Sequence, residues 1–233
     1  MTILILAGGF GTRLKKVVAN VPKPMADICG KPFLTYQIDA IRRYYPQESI
    51  YLLTHYKSEI IQEYFQEDNK IRVIEEKDPL GTGGSILNAI KILNLNINET
   101  LLILNGDTFL EVDFYKIVNK SFYDVTLLAS FQKDCSRYGS LIVSKNEIKE
   151  FKEKIIHTKN EYINAGCYFF KNLNFFSKIK NKRNSFSIEN EFQEYLKNNK
   201  IGVCKYEGVF IDIGIPNDYE KMKKYMSAKH DKK

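Results

Sequence analysis

Residues 1–34 read MTILILAGGFGTRLKKVVANVPKPMADICGKPFL. Ile3 to Ala7 is a continuous apolar run of strand length, the pattern of a strand buried on both faces. It breaks into Gly8, Gly9, Gly11 and Thr12, followed at once by Arg13, and a second cation, Lys23, stands between Pro22 and Pro24. A strand that empties into glycines lets bare backbone N–H groups approach a phosphate closely. Arg13 and Lys23 then supply positive charge where phosphate charge develops. The stretch predicts a site for a nucleoside triphosphate.

Spacing excludes the two commonest alternatives. Gly9-Phe10-Gly11 begins a dinucleotide fingerprint, but Leu14 stands where a small residue is needed, and Pro22 and Pro24 prevent a long helix from following the loop. Gly30-Lys31 could end a Walker loop, but Pro32 replaces the Ser or Thr and Met25 replaces the first glycine.

Beyond this stretch, strand-like and helical runs alternate. Pro32–Tyr45 is helical in period, Ser49–Thr54 a strand, Ser58–Gln66 a helix and Ile71–Glu75 a strand. A helix capped by Thr82 runs to Leu93 and leads into the strand Leu101–Asn105. Such βαβα alternation predicts a parallel sheet with helices on both faces. After Asp107 the pattern changes to strands with little helix between them: Val125–Phe131, Ser140–Ser144 and Tyr162–Phe170. Ser187–Asn199 is a helix, Val209–Ile213 a strand and Pro216–Met226 a last helix with Pro at its start. The expected fold is therefore α/β, a Rossmann-like mixed, mainly parallel sheet flanked by helices.

The chain of 233 residues is 44% apolar and carries a net charge of +7. Its last thirteen residues hold six Lys and one Asp, which leaves only +2 for the first 220. Basicity gathered at one end argues against a nucleic-acid face on the domain. One domain, 1–226, followed by a basic, disordered tail, 227–233, is expected. The four cysteines, Cys29, Cys135, Cys167 and Cys204, have no metal-ligand or redox spacing and read as free thiols of a reducing cytoplasm. No apolar run approaches the length of a membrane span. His55, His157 and His230 form no cluster and read as surface or loop residues.

The combination Gly-Gly-x-Gly-Thr-Arg-Leu, Pro-Lys-Pro and Gly-Lys-Pro resembles the signature of the sugar-nucleotide nucleotidyltransferases, also called sugar-1-phosphate pyrophosphorylases. The likeness extends to about Tyr219. It implies the nucleotide-diphospho-sugar transferase type of fold and a Mg²⁺-dependent transfer of a nucleotidyl group to a sugar 1-phosphate. Within the family the likeness is strongest to guanylyltransferases acting on a manno-configured heptose 1-phosphate, which serve capsule or lipopolysaccharide synthesis; transfer to mannose 1-phosphate, or from UTP, is the alternative. The implied partners are GTP and a sugar 1-phosphate, with no nucleic acid or membrane and a homodimer left open.

The resemblance also implies roles. Leu6, Gly8, Gly9, Gly11, Thr12, Arg13, Lys23 and Gly106 would surround the nucleotide. Glu76, or failing it Glu75, would accept from guanine, with Gly81 and Thr82 of KDPLGTGGSI (77–86) forming the base loop. Asp107, in LLILNGDTF (101–109), and Asp212, in VFIDIGIP (209–216), would hold Mg²⁺. Each sits at the end of an apolar strand, and Mg²⁺ takes one or two carboxylates with phosphate and water. Arg13, Lys23, Asp107 and Asp212 would be catalytic. Gly139 of Arg137-Tyr138-Gly139, with Glu153, Lys154 and Asn164, would bind the sugar phosphate, although Ile155 stands where many relatives have Pro. A metal-dependent glycosyltransferase would normally show Asp-x-Asp, and Phe109 occupies the second position. An inactive nucleotide-sugar-binding homologue would be expected to lack Arg13, Lys23 or Asp107.

Overall fold

A computed structural model describes all residues except 16, 120, 153–158, 180–183 and 232–233. In chain order the elements are β1 Thr2–Leu6, β2 Asp27–Ile28, β3 Lys31–Pro32, α1 Phe33–Arg42, β4 Ile50–Thr54, α2 Ser58–Phe65, β5 Ile71–Glu75, α3 Gly81–Ile92, β6 Leu101–Asn105 and β7 Thr108–Leu110. There follow α4 Phe114–Asn119, β8 Val125–Asp134, β9 Ser140–Ser144, β10 Glu147–Phe151, β11 Lys159–Phe170, α5 Asn174–Ser177, α6 Ile188–Leu196, β12 Ile201–Tyr206, β13 Phe210–Asp212 and α7 Pro216–His230.

One sheet of nine strands runs β5-β4-β1-β6-β11-β8-β12-β10-β9. The first four strands are parallel. β11 lies antiparallel between β6 and β8, and β12 returns parallel to β8. Only β10 and β11 oppose the direction of β1, so the mixed, mainly parallel reading holds. β1 explains itself: Ile3 and Ile5 join the core shared with α1, α2 and α4, while Leu4 joins the opposite core with α3, α5 and α6. Both faces are covered, so an alternating polar strand would forfeit roughly 1.5–3 kcal/mol for each large apolar side chain lost from it.

The chain moves outward from β1 to β4 and β5, then crosses back to β6 on the other side of β1. Strand order therefore reverses between β1 and β6, and an α/β sheet binds its ligand beyond the strand ends at that point. The two loops are tied together where Gly106 N donates to Leu6 O at 2.9 Å.

A third core forms away from the main sheet. β7 and β13 pair as an antiparallel ribbon, and α7 packs Tyr219, Met222 and Met226 against Ile211, Phe109, Ile28 and Phe33. α7 runs past the expected boundary at residue 226, so residues 227–230 of the expected disordered tail are helical. Met226 is buried there, and Lys229 pairs with Glu111, placing a cation in the last helical turn where the dipole favours it. The expected Thr82 cap is also corrected: Leu80 occupies the N-cap position of α3 with no side-chain cap, and Thr82 already lies inside the first turn.

Candidate active site

The glycine loop follows β1 and folds back onto the Pro22-Lys23-Pro24 turn. Gly11 has φ +60, and a Cβ there would stand 3.0 Å from Lys23 Cβ, so conformation and packing both require glycine. Leu14 anchors the loop in the third core. Gly9, Thr12 and Arg13 face solvent, and Arg13 has no hydrogen bond or ion pair among the described residues. Its guanidinium is thus available to an incoming anion. Gly8 packs on His55, and Phe10 meets the rings of His55 and Tyr56.

Asp107 lies between β6 and β7, at the mouth of the crevice. Its Oδ2 accepts from Lys23 Nζ and its Oδ1 from Thr108 Oγ1 at 3.1 Å. Buried Gln37 braces both sides of this turn, its Nε2 donating to Asn105 O at 2.7 Å and Thr108 O at 2.9 Å. Asp212 arrives from the far end of the chain on β13, in register with Thr108, and Ile213 N donates to Asp107 O at 3.0 Å. The Asp212 carboxyl is pushed up from its ordinary value by burial and then by the Asp107 charge, with Lys23 and Arg137 opposing. Asp212 Oδ1 accepts from Gly214 N at 2.8 Å, and Oδ2 from Arg137 Nη2 at 3.1 Å and Tyr138 OH at 3.3 Å.

Two carboxylates converging from separate strands form an all-oxygen donor set, suited to a hard divalent cation. Among the described residues no group of three or more His, Cys, Asp or Glu is gathered. One or two carboxylates completed by phosphate and water is the set that Mg²⁺ usually takes.

In the loop expected to meet the base, Glu76 is buried while Glu75 is exposed. Glu76 Oε2 accepts from Leu80 N at 3.4 Å; burial raises its carboxyl, opposed by Ser85 and Leu80. His55 Nδ1 donates to Glu76 O at 2.9 Å, linking the segment after β5 to the glycine loop. The glycines of this loop are required by close packing within the chain itself. Added Cβ atoms would stand 2.6 Å from Phe186 O at Gly81, 2.2 Å from the Phe186 ring at Gly83 and 2.4 Å from Asn184 O at Gly84. The close approach is made by the chain's own segment before α6. Thr82 serves that segment too: its hydroxyl accepts from Ile188 N at 2.9 Å and donates to Glu189 Oε2 at 3.0 Å, capping α6 rather than α3.

Of the residues expected to meet the sugar phosphate, Gly139 leads into β9 beneath Lys152 O. Asn164 sits at a β11 bulge, with Oδ1 accepting from Gly166 N and Nδ2 donating to Tyr168 OH, each at 3.0 Å. Tyr168 OH donates to Glu189 Oε1 at 3.4 Å, so Asn164 and Thr82 share one polar network. Glu153, Lys154 and His157 lie outside the described residues.

The structure thus brings the glycine loop, Lys23, Asp107 and Asp212 together, with Glu76 behind. It also shows Gln37, His55 and Asp218, which the sequence reading did not place in the site. Arg137 stood in a quoted motif without a role. Asp218 reads as an ordinary acid in a first helical turn, and Gln37 as one polar residue on an amphipathic helix, so neither carried a sequence signal.

The description Nucleotidyl transferase matches residues 2–229. The chain is 37% identical over 229 residues to D-glycero-alpha-D-manno-heptose 1-phosphate guanylyltransferase of Campylobacter jejuni, covering 94% of this chain and 97% of that protein. It is also 37% identical to the enzyme of the same name from Aneurinibacillus thermoaerophilus, covering 96% and 97%. HddC from Yersinia pseudotuberculosis, solved in complex with GMP-PN, is similar in structure with a TM-score of 0.82 and 33% identity, covering 97% of this chain and 99% of that one. The glycine loop, the strand-end carboxylates and a likeness spanning nearly the whole length agree: this chain belongs to the nucleotidyl transferase family.

Proposed function

We propose that the chain transfers a guanylyl group from GTP to D-glycero-α-D-manno-heptose 1-phosphate, giving GDP-heptose and pyrophosphate, with Mg²⁺ as the metal. The observation that carries the reaction class is the meeting of Lys23, Asp107 and Asp212 below a glycine loop at the point where strand order reverses. The donor and acceptor are supported by two relatives of that name, each matched over 97% of its length.

Members of the family use a divalent metal; when bound, it neutralises charge at the α-phosphate. Asp107 and Asp212 would hold it. Arg13 would meet the β- and γ-phosphates and the charge that grows on departing pyrophosphate. Lys23 would hold the α-phosphate in line with the acceptor. The acceptor phosphate is itself an anionic nucleophile, so alignment and charge neutralisation supply most of the rate and no strong base is required. Glu76 would take guanine N1–H and N2–H₂, while Gly139, Asn164, Glu153 and Lys154 would hold the sugar phosphate.

Pyrophosphate release measured for GTP, UTP, CTP, dTTP and ATP, each with heptose, mannose and glucose 1-phosphates, tests the reading. GTP with the manno-heptose phosphate is expected to give the highest kcat/KM. A higher value for UTP or for mannose 1-phosphate would replace the donor or acceptor assignment.

Base selection has its own test. Glu76→Ala is expected to lower the GTP-to-ATP ratio of kcat/KM by about tenfold or more, and Glu76→Gln by less, because an amide oxygen still accepts but lacks charge assistance. An unchanged ratio in Glu76→Ala would transfer base recognition to Glu75 or to backbone groups around Gly81.

A further inference from the structure

Both proposed metal ligands are already paired with cations of the chain itself: Lys23 with Asp107, and Arg137 with Asp212. The second pairing is shared. Arg137 reaches from the loop between β8 and β9, with its guanidinium 5.2 Å from the centre of the Tyr138 ring. Nη2 donates to Asp212 Oδ2 at 3.1 Å, while Nη1 donates to Asp218 Oδ2 in the first turn of α7. Its Nε is buried without a partner among the described residues. The fork therefore does not grip one carboxylate with two parallel bonds, as arginine does at its strongest. It is divided between two acids, one of which is also wanted by a metal.

We propose that the Arg137–Asp218 pair sets the affinity of the metal site. Arg137 competes with a divalent cation for Asp212, and Asp218 is the second acid that takes the guanidinium when the cation arrives. This rests on the reading of Asp107 and Asp212 as metal ligands. With Lys23 and Arg137 on the two carboxylates, a metal alone gains little at the site. A triphosphate adds oxygen ligands and negative charge of its own, so metal and nucleotide load together. Arg137 is a positioning residue in this arrangement, acting on the reacting groups through Asp212.

The two partners predict opposite effects, which a merely structural role would not. The probe is Mn²⁺ binding to the full-length protein without nucleotide, read as free Mn²⁺ by electron paramagnetic resonance. Arg137→Gln removes the competitor and is expected to tighten Mn²⁺ binding by about tenfold. Asp218→Asn removes the second acid, leaves the guanidinium to Asp212 alone and is expected to weaken binding several-fold. Arg137→Lys keeps the charge without the fork and should fall between wild type and Arg137→Gln; it carries the test if Arg137→Gln does not fold. Weakening in Arg137→Gln and Asp218→Asn alike, at unchanged Tm, would overturn the proposal, as would no change in either. The Asp107→Ala, Asp212→Ala double variant separates the underlying reading: wild-type Mn²⁺ affinity there would remove the carboxylates as ligands, and this inference with them.

Discussion

Asp107→Ala and Asp212→Ala are each expected to lower kcat for pyrophosphate release by about 10³. A metal that neutralises phosphate charge contributes several kcal/mol to the transition state, and about 1.4 kcal/mol corresponds to a tenfold rate. Asp212 pairs with Thr108 on the β7–β13 ribbon and Asp107 immediately precedes Thr108, close enough for the Asp107 charge to raise the Asp212 carboxyl. Removing Asp107 leaves Lys23 without its partner, and removing Asp212 leaves Arg137 to Asp218 alone, so either variant keeps a single proposed ligand. The measurement is turnover at saturating substrates over a Mg²⁺ titration, with Tm recorded for each variant. Wild-type turnover in either variant, with Mg²⁺ still required, would refute the two-carboxylate site.

The second large effect belongs to the cations. Arg13→Ala and Lys23→Ala are each expected to reduce kcat by roughly 10²–10³, the usual cost of losing one preorganised group that stabilises transition-state charge. The pair should differ in their secondary effects. Arg13 has no partner among the described residues, so its loss removes a contact to phosphate alone and should leave Tm unchanged. Lys23 is paired with Asp107, so its loss also leaves that carboxylate uncompensated beside Asp212. A rise in KM for GTP with kcat unchanged, in either variant, would mean that substrate and transition state are bound alike and that the catalytic role is wrong.

What could be read in advance follows from how local each signal is. β1 and β6 are buried on both faces, so they are written as unbroken apolar runs, and the acids and glycines at their ends announce the site. β10 was not legible: in EIKEF only Ile148 is buried, so the strand looks like a charged loop. β12, IGVCKY, was missed as well; it buries only Ile201, Gly202 and Val203, too short a run to distinguish from a turn. Thr82 shows a different limit. The capping rule assigned its hydroxyl to the nearest helix, whereas it caps one that starts 106 residues later. The division of Arg137 between Asp212 and Asp218 was equally invisible, because the three residues come from separate segments joined only by packing.

The third core has a consequence for how the molecule is made. Leu14, Ala26, Ile28 and Phe33 are covered by Ile211, Ile213 and the apolar face of α7, and Tyr219 OH donates to Asp27 O across 192 residues of chain. At 5–20 residues per second, synthesis leaves this early apolar surface without its cover for roughly 10–40 s. During that interval the glycine loop, Lys23 and Asp107 can already be tethered by the parallel strands. Asp212, carried on the covering ribbon, comes only with the closure. In the proposed reading, the segment made first carries the glycine loop, Lys23 and Asp107 and the covering segment carries Asp212, so burial of the apolar surface and completion of the proposed centre coincide.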